Sequence, residues 1–113
     1  MTDTAAELSA DDRKLVTLAR AARARAGSPA GAAVRDETGR TYAGADVALP
    51  SLTLDCVALA VAQAAAAGAE FIDALAIVGP GGAGDTAPAV DMGCHTVIRA
   101  DAAGALLGVD RDG

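Results

Sequence analysis

The segment "LDCVALAVAQAAAAGA" at residues 54–69 constrains the fold more than any other part of the chain. Alanine and leucine favour a helix, and Gly68 predicts its end. We expect the helix to begin near Pro50 and either Ser51 or Thr53, which are typical of helix starts. Apolar residues occupy nearly every side of this helix, so it must be buried, either inside the domain or in an interface.

Small side chains must build the core, because 52% of the residues are hydrophobic but only 2% are aromatic. Layers made of such side chains can approach closely, which leaves little room for a large ligand cavity. The length of 113 residues fits one domain over residues 1–113. The polar residues 1–8 are expected to form a flexible N-terminal tail.

Charge and targeting signals exclude several partners. The net charge of −6 argues against nucleic-acid binding, which needs a basic face. The longest apolar run, residues 57–68, is too short to span a bilayer, so no membrane partner is expected. The N-terminus does not look like an export signal, and two cysteines in such a chain are expected to stay reduced. We therefore expect a cytoplasmic protein.

The remaining segments predict an α/β domain with helices covering a mixed sheet. "LSADDRKLVTLARAARARAG" predicts a first helix capped by Ser9 and ended by Gly27. "GAAVRDETGRTYAGADVA" predicts a hairpin turning at residues 36–39, and "FIDALAIVG" a central strand. "PGGAGDTAP" is typical of a surface loop and "APAVDMGC" of a short helix. "TVIRADAAGALLGV" repeats the pattern of the first hairpin, so a second hairpin should follow.

Several segments resemble the small zinc-dependent cytidine deaminases. These are "SPAGAA" at residues 28–33, "GADVAL" at 44–49 and "LTLDCV" at 52–57, which are similar to that family's "FPVGAA", "G-x-N-V-E-N" and "L-T-[IL]-C-A-E". The resemblance covers roughly residues 12–78 in the same order and spacing. It implies a three-layer α/β/α sandwich with a mixed sheet.

The catalytic residues of that family are missing. Zinc deaminases place a cysteine or histidine at the helix start and a glutamate two residues later, which moves protons between the zinc-bound water and the base. In one register Asp55 takes the ligand position and Val57 that of the glutamate. In the other, Cys56 takes the ligand position and Ala58 that of the glutamate. Neither register supplies a group that can carry a proton, so no catalytic residue is predicted.

The other family residues have changed as well. Ala89 and Met92 stand where the family has its second pair of cysteine ligands. Asp46 stands for the first asparagine of "N-V-E-N" and can still accept hydrogen bonds, whereas Ala48 replaces the sugar-binding glutamate. Ser28 replaces the aromatic residue of "FPVGAA". What remains is a residual cleft in which Asp46 and Asp55 could contact a substrate.

A relocated zinc site is the alternative to a lost one. Asp55, Cys56, Cys94 and His95 carry acceptable zinc ligands and could converge if the second and third helices begin close together. Cys94 and His95 are adjacent, however, and adjacent side chains seldom point the same way. The simpler reading makes both cysteines small buried apolar residues, with no metal cofactor. A redox pair is a third reading, although the two cysteines lack a C-x-x-C spacing.

The sequence therefore predicts a cytidine deaminase-like protein that is catalytically inactive and serves as an oligomeric binding or interaction module. The alternative is a zinc-dependent nucleoside deaminase with relocated ligands. The expected partner is a second copy, in a homodimer or homotetramer built around residues 57–67. The alternative here is that the sheet and the first helix bury the whole apolar helix. A nucleoside-like small molecule or another protein is a further possible partner.

Overall fold

The protein, as a computed structural model that describes residues 8–111, has helices on both faces of a mixed sheet. In chain order the elements are α1 (Ala10–Ala26), β1 (Gly31–Asp36), β2 (Thr41–Ala45), β3 (Val47–Leu49), β4 (Leu52–Leu54), α2 (Cys56–Ala66), β5 (Ile72–Val78), α3 (Ala87–Asp91), β6 (Thr96–Ala100) and β7 (Leu106–Arg111). A single 3₁₀ turn at Pro80–Gly82 follows β5. Within this part of the chain, no helix is both long and apolar enough to cross a membrane.

The main sheet has the strand order β2-β1-β5-β6-β7. β5 lies at its centre, parallel to β6, and the other neighbours are antiparallel. Alternate residues of β1 show the two sides: Ala33 packs in the core beneath α1, whereas Ala32 and Val34 pack with α2 and α3. The predicted three-layer α/β/α sandwich and the central strand are therefore confirmed.

Helix α1 begins and ends as the sequence predicts. The Ser9 hydroxyl accepts a hydrogen bond from the Asp12 amide at 3.0 Å, and Gly27 takes the left-handed conformation. Its apolar stripe, which includes Leu15 and Ala19, is fully buried against the sheet. Leu8 belongs to the same core at 6% exposure, and the rest of the predicted tail, residues 1–7, lies outside the described residues.

Both predicted hairpins form, and they use the same turn. Asp36 in the β1–β2 turn and Asp101 in the β6–β7 turn each accept, at Oδ1, the amides two and four residues later at 2.9–3.0 Å. The turn is completed by Gly39 and Gly104, whose φ angles are 89° and 90°. Only glycine adopts such an angle without strain, which is why both patterns could be recognised.

The predicted start of the second helix is wrong. Residues 47–54 form a separate two-stranded hairpin, β3–β4, in which Leu49 pairs with Leu52 across Pro50 and Ser51. The physical reason is that proline suits a tight turn as well as a helix start, and β-compatible residues flank it on both sides. The helix itself begins at Cys56, where Asp55 caps it.

Helix α2 is buried on one side only. Val57, Ala60 and Ala64 have no exposed surface, but Ala62 on the opposite side is exposed. The alternative that α2 lies between the sheet and α1 is wrong, because α1 packs on the other face of the sheet.

Gln63 on α2 closes part of the outer edge of β2. Its side-chain amide donates a hydrogen bond to the Ala43 carbonyl at 2.7 Å. The Asp36 amide bonds to the Arg40 carbonyl and the Asp46 amide to the Ala30 carbonyl, so by alternation the polar groups of Ala43 point away from β1. Gln63 therefore occupies an acceptor that an incoming strand would need.

Candidate functional site

The start of α2 brings together three of the residues singled out from the sequence. Asp46 follows β2, and its Oδ1 atom accepts a hydrogen bond from the Cys56 backbone amide at 2.8 Å. Asp55 is the N-cap residue, and its Oδ1 atom accepts the Ala58 amide at 2.8 Å. Two carboxylates thus bind the unpaired amides of the first turn, where the helix dipole also favours negative charge.

Ser28 fixes the loop that carries Asp46. Its hydroxyl donates to the Ala30 carbonyl at 3.0 Å and accepts the Asp46 backbone amide at 3.1 Å. The side chain is buried, with 9% of the residue exposed. At this position the resembled family has an aromatic residue, and here a small polar side chain joins two stretches of backbone instead.

The Cys56 thiol is held in its protonated form. The residue is 2% exposed, and burial, together with the negative charges of Asp46 and Asp55, raises the pKa of the thiol to about 12. A thiol must lose its proton to act as a nucleophile or to bind zinc. Near neutral pH Cys56 therefore behaves as a small apolar side chain.

Val57 lies in the apolar core between α2 and the sheet. It has no exposed surface and belongs to the same cluster as Ile77 and Ala89. The loop before α3 closes over it: a Cβ atom placed on Gly84 would lie 3.0 Å from Ile77 Cδ1 and 3.6 Å from Val57 Cγ2. In the register that puts Asp55 at the ligand position, the place of the catalytic glutamate is thus occupied by aliphatic packing.

The segment around α3 has apolar side chains at the two positions where the family has its second pair of cysteine ligands. Ala89 supplies a methyl group and Met92 a thioether. Ala89 is fully buried, and Met92 is half-buried against the same core. Neither side chain has an ionisable donor, so neither can serve as the thiolate ligand that zinc needs.

Cys94 and His95 differ in how far they are buried. Cys94 is 5% exposed, its thiol donates to the Thr96 carbonyl at 3.3 Å, and burial raises its pKa. His95 is exposed. Neither cysteine forms a disulfide. Across residues 8–111, no group of three or more histidine, cysteine, aspartate or glutamate side chains is placed to hold a metal ion.

The comparisons with known proteins agree with this fold. A family model described as cytidine deaminase-like matches residues 8–104, and the chain therefore belongs to the cytidine deaminase-like family. Among solved structures it is similar to a cytidine deaminase from Burkholderia pseudomallei, determined at 1.6 Å, with 25% identity and a TM-score of 0.73. That match covers 87% of this chain and 90% of the other. A search of curated protein sequences finds no significant match.

Three features of the site were missed in the sequence. They are the Asp46–Cys56 hydrogen bond, the role of Ser28 and the packing of Gly84 over Val57. The first two join residues ten and eighteen positions apart, which no local pattern indicates. A weak signal existed for Gly84, since a glycine in a loop next to a buried strand often marks a close approach of the backbone.

Proposed function

We propose that this protein is a catalytically inactive cytidine deaminase-like protein that holds no zinc and acts as a homo-oligomeric binding or interaction module. The observation that carries the proposal is the aliphatic residue at the position of the catalytic glutamate, Val57 in one register and Ala58 in the other. A methyl group cannot accept or deliver a proton, so the step in which water is activated has no general base.

The available donors support the absence of zinc. Zinc in a deaminase needs three protein ligands that have lost their protons. Cys56 packs in the apolar core at 2% exposure, and the Asp55 carboxylate already accepts the Ala58 amide. Ala89 and Met92 offer no thiolate. These residues do not fit the family's metal.

Two measurements on the purified protein test the proposal. We expect less than about 0.1 zinc per chain, against the one per chain that a family metal site would hold. We also expect no change in ultraviolet absorbance with cytidine or deoxycytidine, and an active cytidine deaminase run in parallel controls the assay. Stoichiometric zinc with turnover would overturn the proposal. In that case Cys56→Ala and Cys94→Ala would show whether relocated ligands hold the metal.

Under this proposal, any remaining binding surface for a small molecule is expected at the start of α2. Asp46 and Asp55 lie together at the start of α2, next to the exposed β3–β4 hairpin. Asp55 is exposed and Asp46 is half-buried, so both carboxylates border the surface. A nucleoside-like molecule would meet hydrogen-bond acceptors here, which suit the hydroxyl groups of a sugar.

The exposed side of α2 supports self-association. Leu59 is half-buried, Ala62 and Ala66 are exposed, and there is no charged residue from Cys56 to Gly68. At one end of the helix, Leu49 and Leu52 are also exposed, at 58% and 48%. An apolar surface of this kind on a small domain usually marks a partner surface, and a symmetric pair of copies is the commonest solution. A homodimer or homotetramer through this side of α2 follows.

A further inference from the structure

We infer that the positions of the family's metal and base have become an apolar joint, made of Cys56, Val57, Ile77, Gly84 and Ala89, that holds α2 and α3 on the sheet without any ion. The inference rests on the proposed loss of the zinc site and goes beyond it. Under this inference the fold does not depend on a metal ion, because apolar contacts hold α2 and α3 on the sheet in its place.

The joint connects α2, β5, α3 and the loop that carries Gly84. Cys56 and Val57 come from α2, Ile77 from β5 and Ala89 from α3, and the four are between 0% and 2% exposed. All of them belong to one core cluster. A metal ion with ligands on two helices would make the same connection between the helices, but by coordination. Here the burial of apolar surface makes it.

Gly84 makes the packing close. A Cβ atom at this position would lie 3.0 and 3.3 Å from two atoms of Ile77 and 3.6 Å from Val57. The distance to Val57 is an ordinary contact, but the distances to Ile77 are tighter than usual, so a side chain at position 84 requires Ile77 to shift by a few tenths of an ångström. The backbone at Gly84, an exposed loop residue, thus lies close to Ile77 and Val57.

The two cysteines pack in the same core as the joint. Cys56 and Cys94 are 2% and 5% exposed, and both belong to the cluster that contains Val57 and Ile77. Buried free cysteines behave as small apolar side chains.

Thermal unfolding with and without metal tests the inference directly. We expect the melting temperature to change by less than about 1 °C when a strong chelator or one equivalent of zinc is added. A zinc site present at one hundred times its dissociation constant would raise it by roughly 10 °C or more. A rise of that size would overturn the inference even if the protein had no deaminase activity. The result is therefore independent of the turnover assay.

A pair of glycine variants tests the joint itself. Gly84→Val should lower the melting temperature by roughly 5 °C or more, because the new side chain meets Ile77 and Val57. Gly108→Val is the control, since a Cβ atom there has no neighbour within 4 Å and valine suits the strand β7, so its shift should stay within about 2 °C. Equal melting temperatures for the two variants would overturn the inference. If Gly84→Val does not fold, Gly84→Ala replaces it in the same comparison.

Discussion

Carboxylates in this chain bind backbone amides at several of its turns. Asp36 and Asp101 organise the two hairpin turns, Asp46 and Asp55 bind the first turn of α2, and Glu37 accepts the amides of residues 70 and 71. An acidic chain with a net charge of −6 therefore uses part of its negative charge to hold loops in place. Residue by residue, a carboxylate at the start of α2 is first a structural group.

Asp36 gives a pH-dependent test of this role. Hydrogen bonds from the Thr38 hydroxyl, and then from the Thr38 and Arg40 amides, lower the pKa of its carboxyl below the ordinary value of 3.8. A pKa lowered by folding means that its stabilising effect is complete above the unfolded value and is lost as the pH falls through the folded value. Asp36→Asn should therefore destabilise the protein at pH 6, and the difference should shrink below about pH 4. Urea unfolding at a series of pH values measures it.

The exposed Asp110 supplies the control for that measurement. Asp110→Asn changes the net charge by the same amount but removes no turn, so its unfolding midpoint should follow that of the wild type at every pH. If both variants gave the same pH profile, the effect would be one of net charge alone.

At the scale of the elements, α2 depends on its two capping carboxylates. Asp55→Ala and Asp46→Ala should each lower the free energy of unfolding by about 1 kcal/mol, because each leaves an amide of the first helical turn without its acceptor. Ser51→Ala should change it by less than about 0.3 kcal/mol, since Ser51 lies in the exposed β3–β4 turn. Denaturant unfolding measures all three. If Ser51→Ala lowered the free energy of unfolding as much as Asp55→Ala, α2 would begin near Ser51, as the sequence pattern predicts.

The elements that the sequence predicts correctly are those with local signals. The turn at Asp36 and the cap at Ser9 each depend on residues within four positions. The β3–β4 hairpin was missed because Pro50 suits both a helix start and a turn, and only the pairing of Leu49 with Leu52 distinguishes the two.

The candidate site was predictable in what it lacks and not in how it is built. The missing glutamate and cysteines can be read from Val57 and Ala89 directly. That Asp46 binds the Cys56 amide, and that the loop at Gly84 covers Val57, depends on contacts between distant segments. Such contacts follow from the packing of the whole sandwich and have no local pattern.

At the scale of the whole molecule, the two outer layers differ. The outer side of α1 carries charged residues such as Lys14 and Arg20, which suit contact with water. The outer side of α2 has only alanines, a leucine and Gln63. The uncharged layer is the one expected to meet another copy, so the assembly should bury α2 and leave α1 outside.

Ala62→Arg tests this arrangement. A charged side chain at the centre of the proposed contact cannot be buried between two copies without a partner, so the variant should run as a monomer near 11.0 kDa. Ala24→Arg on the exposed side of α1 is the matched control and should keep the mass of the wild type. Light scattering at micromolar concentration measures all three. A monomeric wild type, or two variants of equal mass, would contradict assembly through α2.

The hydrogen bond from Gln63 to the Ala43 carbonyl also limits how this protein can aggregate. A sheet with two unpaired edge strands can pair with another chain at each edge. Repeated pairing of this kind builds a fibre. In this sheet β2 and β7 are the two edge strands, and Gln63 occupies an acceptor on β2. Strand addition at β2 is therefore disfavoured relative to addition at β7, because a strand that pairs with β2 has to displace the Gln63 side chain.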